Sequence, residues 1–342
     1  MQEDKPMKSV ILKRIVCVAI IALMLVNANF TLTVQAETKE ASSTSKFIKV
    51  DNKQMHIVLY GDLDQNCVTF ADQSKETLVM LPALAVPSPN IYFKPLAEAL
   101  DSTYNVVVIE PFGYGLSDTT KTARTVENIN REVYDALEVL GIDSCTLLVH
   151  SISGIYGINF VYAYPEKVNA FIAIDNTVYD EELSEALAME QDYMLQAAEE
   201  FNQLRNTFDS TEEFEAAIAS DPQKFGAELP EIIGYTYSQC DKEEYYAAYA
   251  RSSNQTIQNE IQNMGDALES IRGKKFPSTL PVLMTLSSDN VQAMPVWEKA
   301  HQEQLDFDSG NHKMYIVEGS HYIWYTNLND VINSILEWRN SH

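Results

Sequence analysis

The chain has 342 residues, of which 46% are hydrophobic and 10% aromatic, a composition typical of a folded globular protein that excludes wholesale disorder. A chain of this length can bury one large core, or one core that carries an inserted subdomain. Its formal net charge is −25 with no basic stripe to offset it, so we expect neither nucleic acid nor an anionic membrane surface to be a partner.

The first 36 residues have the pattern of a secretory signal. Four basic residues precede the apolar run IVCVAIIALMLV (15–26), and Val34 and Ala36 supply the small residues of a cleavage site after position 36. The run is short for a membrane-spanning helix, which needs about 20 residues. We therefore predict a secreted or extracytoplasmic protein with a signal peptide at 1–36. The alternative is an uncleaved anchor at 15–34, which would be its only membrane contact.

Residues 37–45 (ETKEASSTS) are polar, and we predict a flexible leader there. Cleavage would leave Cys67, Cys145 and Cys240, an odd number for an exported protein. Cys67 and Cys240 are candidates for a disulfide, although their spacing does not establish one. No CxxC pair or His/Cys cluster is present, so we predict no metal site.

From Phe47 onward, short apolar runs alternate with helical patterns. Strands are predicted at 46–62 (two strands around Asp51-Asn52), 76–82, 104–110, 145–151, 168–175, 281–287 and 313–319, and helices at 89–101, 125–141 and 329–340. Buried Val/Ile/Leu runs between helices are typical of parallel strands covered on both faces. We therefore predict an α/β fold with a mostly parallel sheet between two helical layers.

The alternation breaks once, between Ile174 and Pro281, where the sequence is helical and acidic. Residues 180–244 contain 18 acidic and three basic residues. An insertion of this length between two strands predicts a helical cap over the carboxyl edge of the sheet, where α/β active sites lie. The predicted core is 46–176 and 267–342, and the predicted cap is 177–266.

Ser151 lies in the segment LLVHSISGIYG (147–157), where a predicted strand runs directly into a helix. A serine on such a sharp turn exposes its Oγ above the sheet, as a hydrolase nucleophile requires. Ser153 and Gly154 are suitably small neighbours, but Val149 is larger than the residue expected there. The alternative is a serine that only caps the helix.

A serine nucleophile needs a general base, and the chain has six histidines. His321 lies just after the last predicted strand, in a Gly-Ser loop before the last helix, from which an imidazole can reach the sheet edge. His150 adjoins the serine, but neighbouring side chains of a strand point to opposite faces. The remaining histidines are in a strand, beside a strand, in a helix or at the terminus: His56, His312, His301 and His342. We predict His321 as the base.

The base in turn needs a carboxylate to orient it and stabilise its protonated form. Asp289 follows the strand at 281–287, in the chain order Ser, Asp, His that this topology requires. Asp175 ends the strand after the nucleophile and is the alternative. We favour Asp289, because Asp175 could equally anchor the start of the cap.

Two backbone N–H groups must also stabilise the oxyanion of an acyl-transfer reaction. Ile152, directly after the serine, supplies one. The second is expected from the loop PALAVPSP (82–89), at Leu84 or Ala83.

Five segments together resemble the α/β-hydrolase superfamily, specifically its cap-bearing serine hydrolases of the esterase, lipase and proline iminopeptidase kind. They are LPALAVPSPNIYFKPLAEAL (81–100), PFGYGLSD (111–118), LVHSISG (148–154), SSDN (287–290) and GSHY (319–322). The resemblance implies Ser151 as nucleophile, His321 as base, Asp289 as acid, and Leu84 and Ile152 as oxyanion donors. It also implies no cofactor.

Two departures from the pattern affect geometry, but neither removes a reacting group. Pro82-Ala83 replaces the usual His-Gly, and Val149 replaces a glycine. Relatives with this fold that act on epoxides or haloalkanes use an aspartate nucleophile, whereas position 151 is serine.

The expected function is a cofactor-independent serine hydrolase that acts on small-molecule esters, or on amides or lactones, through an acyl-enzyme. An aminopeptidase similar to proline iminopeptidases is the alternative, in which a cap carboxylate would hold the substrate amino group. Its candidates are Glu181, Glu182, Glu185 and Glu190. A non-catalytic binding protein with the same fold is the third hypothesis.

Overall fold

The structure, a computed structural model, describes residues 43–64 and 69–341. The predicted signal or anchor segment and Cys67 lie outside these residues. The leader prediction is wrong for residues 43–45, because the first strand already begins at Ser43 and pairs there with Tyr60. Pairing with the buried second strand extends this polar segment, which has no apolar pattern of its own.

One sheet of eight strands is formed by the described residues, in the order β1-β2-β4-β3-β5-β6-β7-β8. Its strands are β1 (Ser43–Val50), β2 (Lys53–Tyr60), β3 (Thr77–Leu81), β4 (Asn105–Ile109), β5 (Cys145–His150), β6 (Val168–Ile174), β7 (Val282–Ser287) and β8 (His312–Val317). β1, β2 and β4 pair antiparallel, and all other pairs are parallel. The predicted mostly parallel sheet is confirmed.

The central strands are apolar on both faces because both faces are covered. β4, β5 and β7 are buried at every residue. β1 and β2 are joined by a two-residue turn in which Asp51 (φ 45°) and Asn52 (φ 60°) both have positive φ, the backbone that matches the twist of a hairpin. The hairpin predicted at Asp51-Asn52 is therefore confirmed.

Helices cover the sheet on two sides. They are α1 (Pro89–Leu100), α2 (Val126–Leu140), α3 (Ser153–Ala163), α10 (Ser288–Ala293), α11 (Val296–Gln304) and α12 (Ile323–Arg339). α2 and α3 share one apolar core with the sheet, and α1 and α12 share the core on the opposite face. The start of α1 is capped by Ser88 and that of α2 by Thr125, while Gly141 ends α2 in the left-handed conformation.

Six further helices lie between β6 and β7, and we call them the cap. They are α4 (Glu181–Arg205), α5 (Thr211–Ser220), α6 (Pro222–Phe225), α7 (Gln239–Arg251), α8 (Gln255–Gln262) and α9 (Met264–Glu269). The cap has a small apolar centre of its own, built around Phe214 and Ile218. Its α4 and α8 also pack against the loop after β3 through Met194, Ile257 and Ile261. No helix in the described ranges has both the length and the hydropathy needed to cross a membrane.

Candidate active site

Ser151 follows β5 directly and has a φ of +56°. Its backbone is held on both sides of the turn. Its N–H donates to the carbonyl of Ile174 at 3.4 Å, and its carbonyl accepts from Gly154 at 2.9 Å and from Thr177 at 2.8 Å. A positive φ costs a non-glycine residue about 1–3 kcal/mol and persists only where the surroundings enforce it, most often at functional sites. The backbone therefore marks Ser151 as the candidate nucleophile.

Two glycines of α3 allow this turn to form so close to the sheet. A Cβ at Gly154 would lie 2.5 Å from the Cβ of Asn176. A Cβ at Gly157 would lie 2.7 Å from the ring of Phe171 and 3.0 Å from Cγ1 of Val149. Gly157 on the helix thus leaves room for the Val149 side chain, so that no glycine is needed at position 149 on the strand.

His321 lies in the loop between β8 and α12 and is bound to Asp175. Its Nδ1 is 2.6 Å from Oδ2 of Asp175, which is completely buried and follows β6. The same carboxylate accepts from the N–H of Ser287 at 3.0 Å, from Nε1 of Trp297 at 2.9 Å and from Nδ2 of Asn290 at 2.5 Å. Four donors therefore fix the carboxylate and, through it, the orientation of the imidazole.

The prediction that Asp289 orients His321 is wrong. The N–H of Asp289 donates to Gly319 at 3.2 Å, and its carboxylate accepts from the neighbouring Ser288 at 3.4 Å. α10 begins directly after β7, and successive helical residues are rotated by about 100°. Asn290 rather than Asp289 consequently reaches the Asp175–His321 pair, at 3.3 Å from His321 Nδ1. Asp175, the alternative, holds the position predicted for the acid.

His150 brings the histidine loop next to the serine. Its Nε2 is 2.8 Å from the carbonyl of His321, and the two imidazole centroids are 4.4 Å apart. A carbonyl only accepts, so His150 carries its proton on Nε2, and its Nδ1 accepts from the Tyr92 hydroxyl. Burial lowers the pKa of His150 well below its ordinary value, and the nearby His321 adds to this. His150 is therefore a neutral support for the loop.

The two predicted oxyanion donors lie at the ends of adjacent elements. Leu84 is in the turn after β3, and Ile152 is between Ser151 and α3. Among the described residues, neither backbone N–H donates to a protein acceptor. The hydroxyl of Ser153 donates to the carbonyl of Pro82 at 2.5 Å, which ties this turn to the start of α3. No hydrogen bond joins Ser151 Oγ and His321 in the described structure, although such bonds often form only with substrate present.

One carboxylate of the cap, that of Glu190, interacts electrostatically with His321. Of the four glutamates proposed to hold an amino group, Glu181, Glu182 and Glu185 are exposed, whereas Glu190 is half-buried. Burial raises the pKa of Glu190, and the charge of His321 opposes this. Burial and the charge of Glu190 together raise the pKa of Tyr322 to about 12.

A second serine–histidine–carboxylate set lies in β1, β2 and the residue after β4. Ser45 Oγ is 2.6 Å from His56 Nε2, and His56 Nδ1 is 2.7 Å from Oε2 of Glu110. His56 and Glu110 are completely buried, and Ser45 is exposed in the edge strand. Glu110 also accepts from the backbone N–H of Leu116 at 2.7 Å and of Asn90 at 3.1 Å. This set joins the hairpin to the loop after β4 and to the first turn of α1.

Sequence reasoning missed several residues that complete the candidate site. They are Tyr92, His150, Asn290 and Trp297. Only the position of His150 next to the serine gave a signal, and it was used to exclude this histidine as the base. Within the described ranges, no three His, Cys, Asp or Glu side chains are arranged to hold a metal ion.

Known proteins share this architecture. The family described as alpha/beta hydrolase fold matches residues 76–219. A variant of an epoxide hydrolase from Bacillus megaterium superimposes with a TM-score of 0.60 at 18% identity, over 86% of this chain and all of the other. The fold is thus the α/β-hydrolase fold, and residues 76–219 are similar to the family with that description.

Two curated relatives match part of the chain. The uncharacterized protein YbdG of Bacillus subtilis is 25% identical over 170 residues, which are 47% of this chain and 48% of YbdG. The 2-(acetamidomethylene)succinate hydrolase of Mesorhizobium japonicum is 27% identical over 103 residues, 30% of this chain and 37% of that enzyme. The chain spans about half or less of the length of these relatives.

Proposed function

We propose that the protein is a cofactor-independent serine hydrolase that cleaves carboxylic ester bonds, or the related amide or lactone bonds, through an acyl-enzyme. The observation that carries the proposal is the strained backbone of Ser151, φ +56°, at the sheet edge where His321 is bound to buried Asp175. Similarity to a hydrolase of an acetamido compound over part of the chain agrees with it.

In the first half-reaction, Ser151 Oγ attacks the carbonyl carbon of the substrate. Its proton passes to Nε2 of His321, and the Asp175 carboxylate stabilises the resulting imidazolium. The oxyanion of the tetrahedral intermediate accepts from the N–H groups of Leu84 and Ile152. In related mechanisms, one such donor accelerates the reaction about 10²–10³-fold.

The first half-reaction ends when the leaving group takes the proton from His321 and departs as an alcohol or amine, which leaves the acyl group bound to Ser151 Oγ. Water then enters, gives a proton to His321 Nε2 and attacks the acyl carbon. The carboxylic acid leaves and Ser151 regains its proton. Every proton moves between the substrate, water, Ser151 and His321, so the cycle needs no cofactor.

A fluorophosphonate probe, which phosphonylates activated serines, tests this function. The protein with residues 37–342 is expected to be labelled, and Ser151→Ala is expected not to be. Ser45→Ala is the matched control, because it also removes a serine hydroxyl beside a histidine, and it is expected to be labelled like the wild type. Absence of wild-type labelling, or unchanged labelling of Ser151→Ala, would overturn the proposal.

An aminopeptidase is the second candidate, because Glu190 is half-buried in the cap and interacts electrostatically with His321. A half-buried carboxylate beside the reacting centre can bind the ammonium group of a substrate. On this hypothesis, aminoacyl arylamides are cleaved, and Glu190→Gln raises their KM about tenfold. A hydrogen bond to a charged group contributes about 1.5–3 kcal/mol, and the lower of these values corresponds to a factor of about ten.

Glu185→Gln, an exposed glutamate of the same helix, is the control and is expected to leave KM unchanged. Cleavage of aminoacyl arylamides without cleavage of p-nitrophenyl esters would support the aminopeptidase function. Cleavage of p-nitrophenyl esters alone, with no effect of Glu190→Gln, would exclude it.

We further propose that the hydrolase acts outside the cytoplasmic membrane on a small-molecule substrate, because of the signal-like pattern of residues 1–36. Amino-terminal sequencing of the protein from its native host is the test. A mature chain that begins at Glu37 would support cleavage, whereas an intact amino terminus in the membrane fraction would support the anchor at 15–34.

A further inference from the structure

The loop that carries the oxyanion donor is connected to the cap by a buried polar chain. Ala85, directly after Leu84, has a φ of +58°, and its N–H donates to the hydroxyl of Tyr114 at 3.3 Å. The Tyr114 hydroxyl in turn donates to Oε1 of Glu260 at 2.9 Å. Glu260 belongs to α8 in the cap and is 2% exposed. One hydroxyl thus links a strained turn of the core to a carboxylate of the cap.

The direction of these hydrogen bonds follows from their chemistry. A tyrosine hydroxyl has one proton and also acts as an acceptor. When this proton is donated in the hydrogen bond to Glu260, the lone pairs of the Tyr114 oxygen are free to accept from the N–H of Ala85. The carboxylate therefore determines which way the hydroxyl points, and the hydroxyl holds the turn that presents the Leu84 N–H.

Arg124 supplies the charge that accompanies Glu260 in this buried site. Its Nε is 3.8 Å from Oε2 of Glu260, and its Nη1 lies 2.7 and 2.6 Å from the two carboxylate oxygens of Glu132. Burial raises the pKa of Glu260, while the charge of Arg124 and the tyrosine hydroxyls lower it. A buried carboxylate without such partners would be costly, so the site is built to hold one.

Tyr156 offers an internal comparison. It lies in α3, is buried, and its hydroxyl donates to the same Oε1 of Glu260 at the same 2.9 Å. In the described structure, however, its hydroxyl has no hydrogen bond to residues 82–86. Tyr114 and Tyr156 therefore make matching hydrogen bonds to Glu260, but of the two only Tyr114 is also hydrogen-bonded to the oxyanion turn, at Ala85.

We propose that Glu260 is a positioning residue that acts through Tyr114 to set the oxyanion turn at Leu84-Ala85, so that the cap takes part in the geometry of catalysis. The inference rests on the proposed serine-hydrolase function. It predicts an effect on transition-state stabilisation, whereas a purely structural clamp between cap and core would affect stability alone.

Tyr114→Phe and Tyr156→Phe test the proposal with p-nitrophenyl acetate as substrate. Each change removes one buried hydrogen bond to Glu260, and Tyr114→Phe also removes the bond from Ala85, so both variants are expected to lower Tm, Tyr114→Phe somewhat more. Tyr114→Phe is expected to lower kcat about tenfold with KM changed less than about twofold, since small displacements at a reacting centre cost up to about 100-fold. Tyr156→Phe is expected to keep kcat within about twofold.

A trifluoromethyl ketone inhibitor, which forms a tetrahedral adduct with an oxyanion, supplies a readout besides activity. Its inhibition constant is expected to weaken for Tyr114→Phe by about the same factor as kcat and to stay unchanged for Tyr156→Phe. Equal kcat and equal inhibition constants for the two variants would overturn the proposal.

If Tyr114→Phe does not fold, Glu260→Met and Glu260→Gln replace it. Glu260→Met is similar in shape but offers only a thioether sulfur, a weak acceptor, and it should reproduce the tenfold loss of kcat. Glu260→Gln retains a carbonyl acceptor and should recover most of the wild-type kcat. Equal kcat for these two variants would overturn the proposal. Failure of the serine-hydrolase function itself would be distinct, because wild-type protein would then show no fluorophosphonate labelling.

Discussion

Ser151 and Ser45 both lie near a histidine bound to a buried carboxylate, but their backbones differ. Ser45 is the third residue of an extended edge strand and already contacts His56 at 2.6 Å. Ser151 is on a turn with φ +56°, directly before a helix and beside N–H groups that have no protein acceptor in the described ranges. The two sets share residue types and differ in how the chain presents the serine.

The surroundings of the two serines differ as much as their backbones. At Ser45 the hydroxyl is held by an imidazole that is completely buried, and the set fastens a hairpin to the loops beside it. At Ser151 the backbone strain is retained, the histidine is 19% exposed, and a cap lies between β6 and β7. A serine–histidine–carboxylate contact by itself therefore does not identify a nucleophile, and our proposal for Ser151 rests instead on the strained turn with its neighbouring donors.

Removal of the two serine hydroxyls should give the largest contrast. Ser151→Ala is expected to lower kcat for p-nitrophenyl acetate by about 10⁴-fold or more, as loss of a triad nucleophile does. Ser45→Ala is expected to retain kcat within about twofold and to lose about 1 kcal/mol of stability with its hydrogen bond. Steady-state kinetics and urea unfolding measure the two effects. A large loss of kcat in Ser45→Ala would break the comparison.

The acid of the site gives the next largest effect. Asp175→Asn is expected to lower kcat about 10⁴-fold, because an amide cannot hold His321 in the required tautomer. Asp289→Asn, the matched change at the residue favoured from sequence, is expected to stay within about threefold. The same kinetic assay decides between them, and the reverse order of effects would restore Asp289 as the acid.

The packing beneath the strained turn is tested by glycine substitutions. Gly157→Ala places a Cβ within 3.0 Å of both Phe171 and Val149, so we expect a loss of about 1–3 kcal/mol of stability. Gly265→Ala in α9 has no atom within 4 Å of the new Cβ and is expected to be neutral or stabilising. Val149→Ala should recover part of the loss in Gly157→Ala. Additive effects in the double variant, measured by urea unfolding, would contradict the compensation between Val149 and Gly157.

The smallest expected effect is a pH dependence that arises at the Ser45 set. Burial lowers the pKa of His56, but the hydrogen bond and charge of Glu110 outweigh it, so the pKa is raised in the folded state. The resulting stability is fully present below the unfolded pKa of about 6.5 and is lost as pH rises through the higher folded pKa.

The Tm of the wild type should therefore fall by a few degrees between pH 6.5 and pH 9, and His56→Gln should show a smaller decline over the same range. Differential scanning calorimetry at several pH values measures both. Parallel curves for the two proteins would show that His56 does not couple stability to pH.

Much of the fold could be predicted from the sequence because it depends on local pattern. Buried strands such as 104–110 and 281–287 are short Val/Ile/Leu-rich runs between helices, and the Asp51-Asn52 turn is a known hairpin type. The start of β1 could not be predicted in the same way. Its polar residues become a strand only because β2 pairs with them.

The candidate site was predictable to the extent that it lies at strand ends. Ser151 and His321 follow β5 and β8, whereas the choice between Asp175 and Asp289 depends on how α10 rotates its first residues. The hydrogen bonds from Ala85 through Tyr114 to Glu260 connect distant parts of the sequence, since Tyr114 and Glu260 are 146 positions apart. No local pattern predicts such a contact, because it depends on how the cap packs on the core.

Mapping the site of fluorophosphonate modification by peptide mass spectrometry tests whether Ser151 is the nucleophile, because both serines are offered to the same reagent in one folded protein. We predict a single adduct on the peptide that contains Ser151 and none on the peptide that contains Ser45. An adduct on Ser45, or none on Ser151, would contradict it.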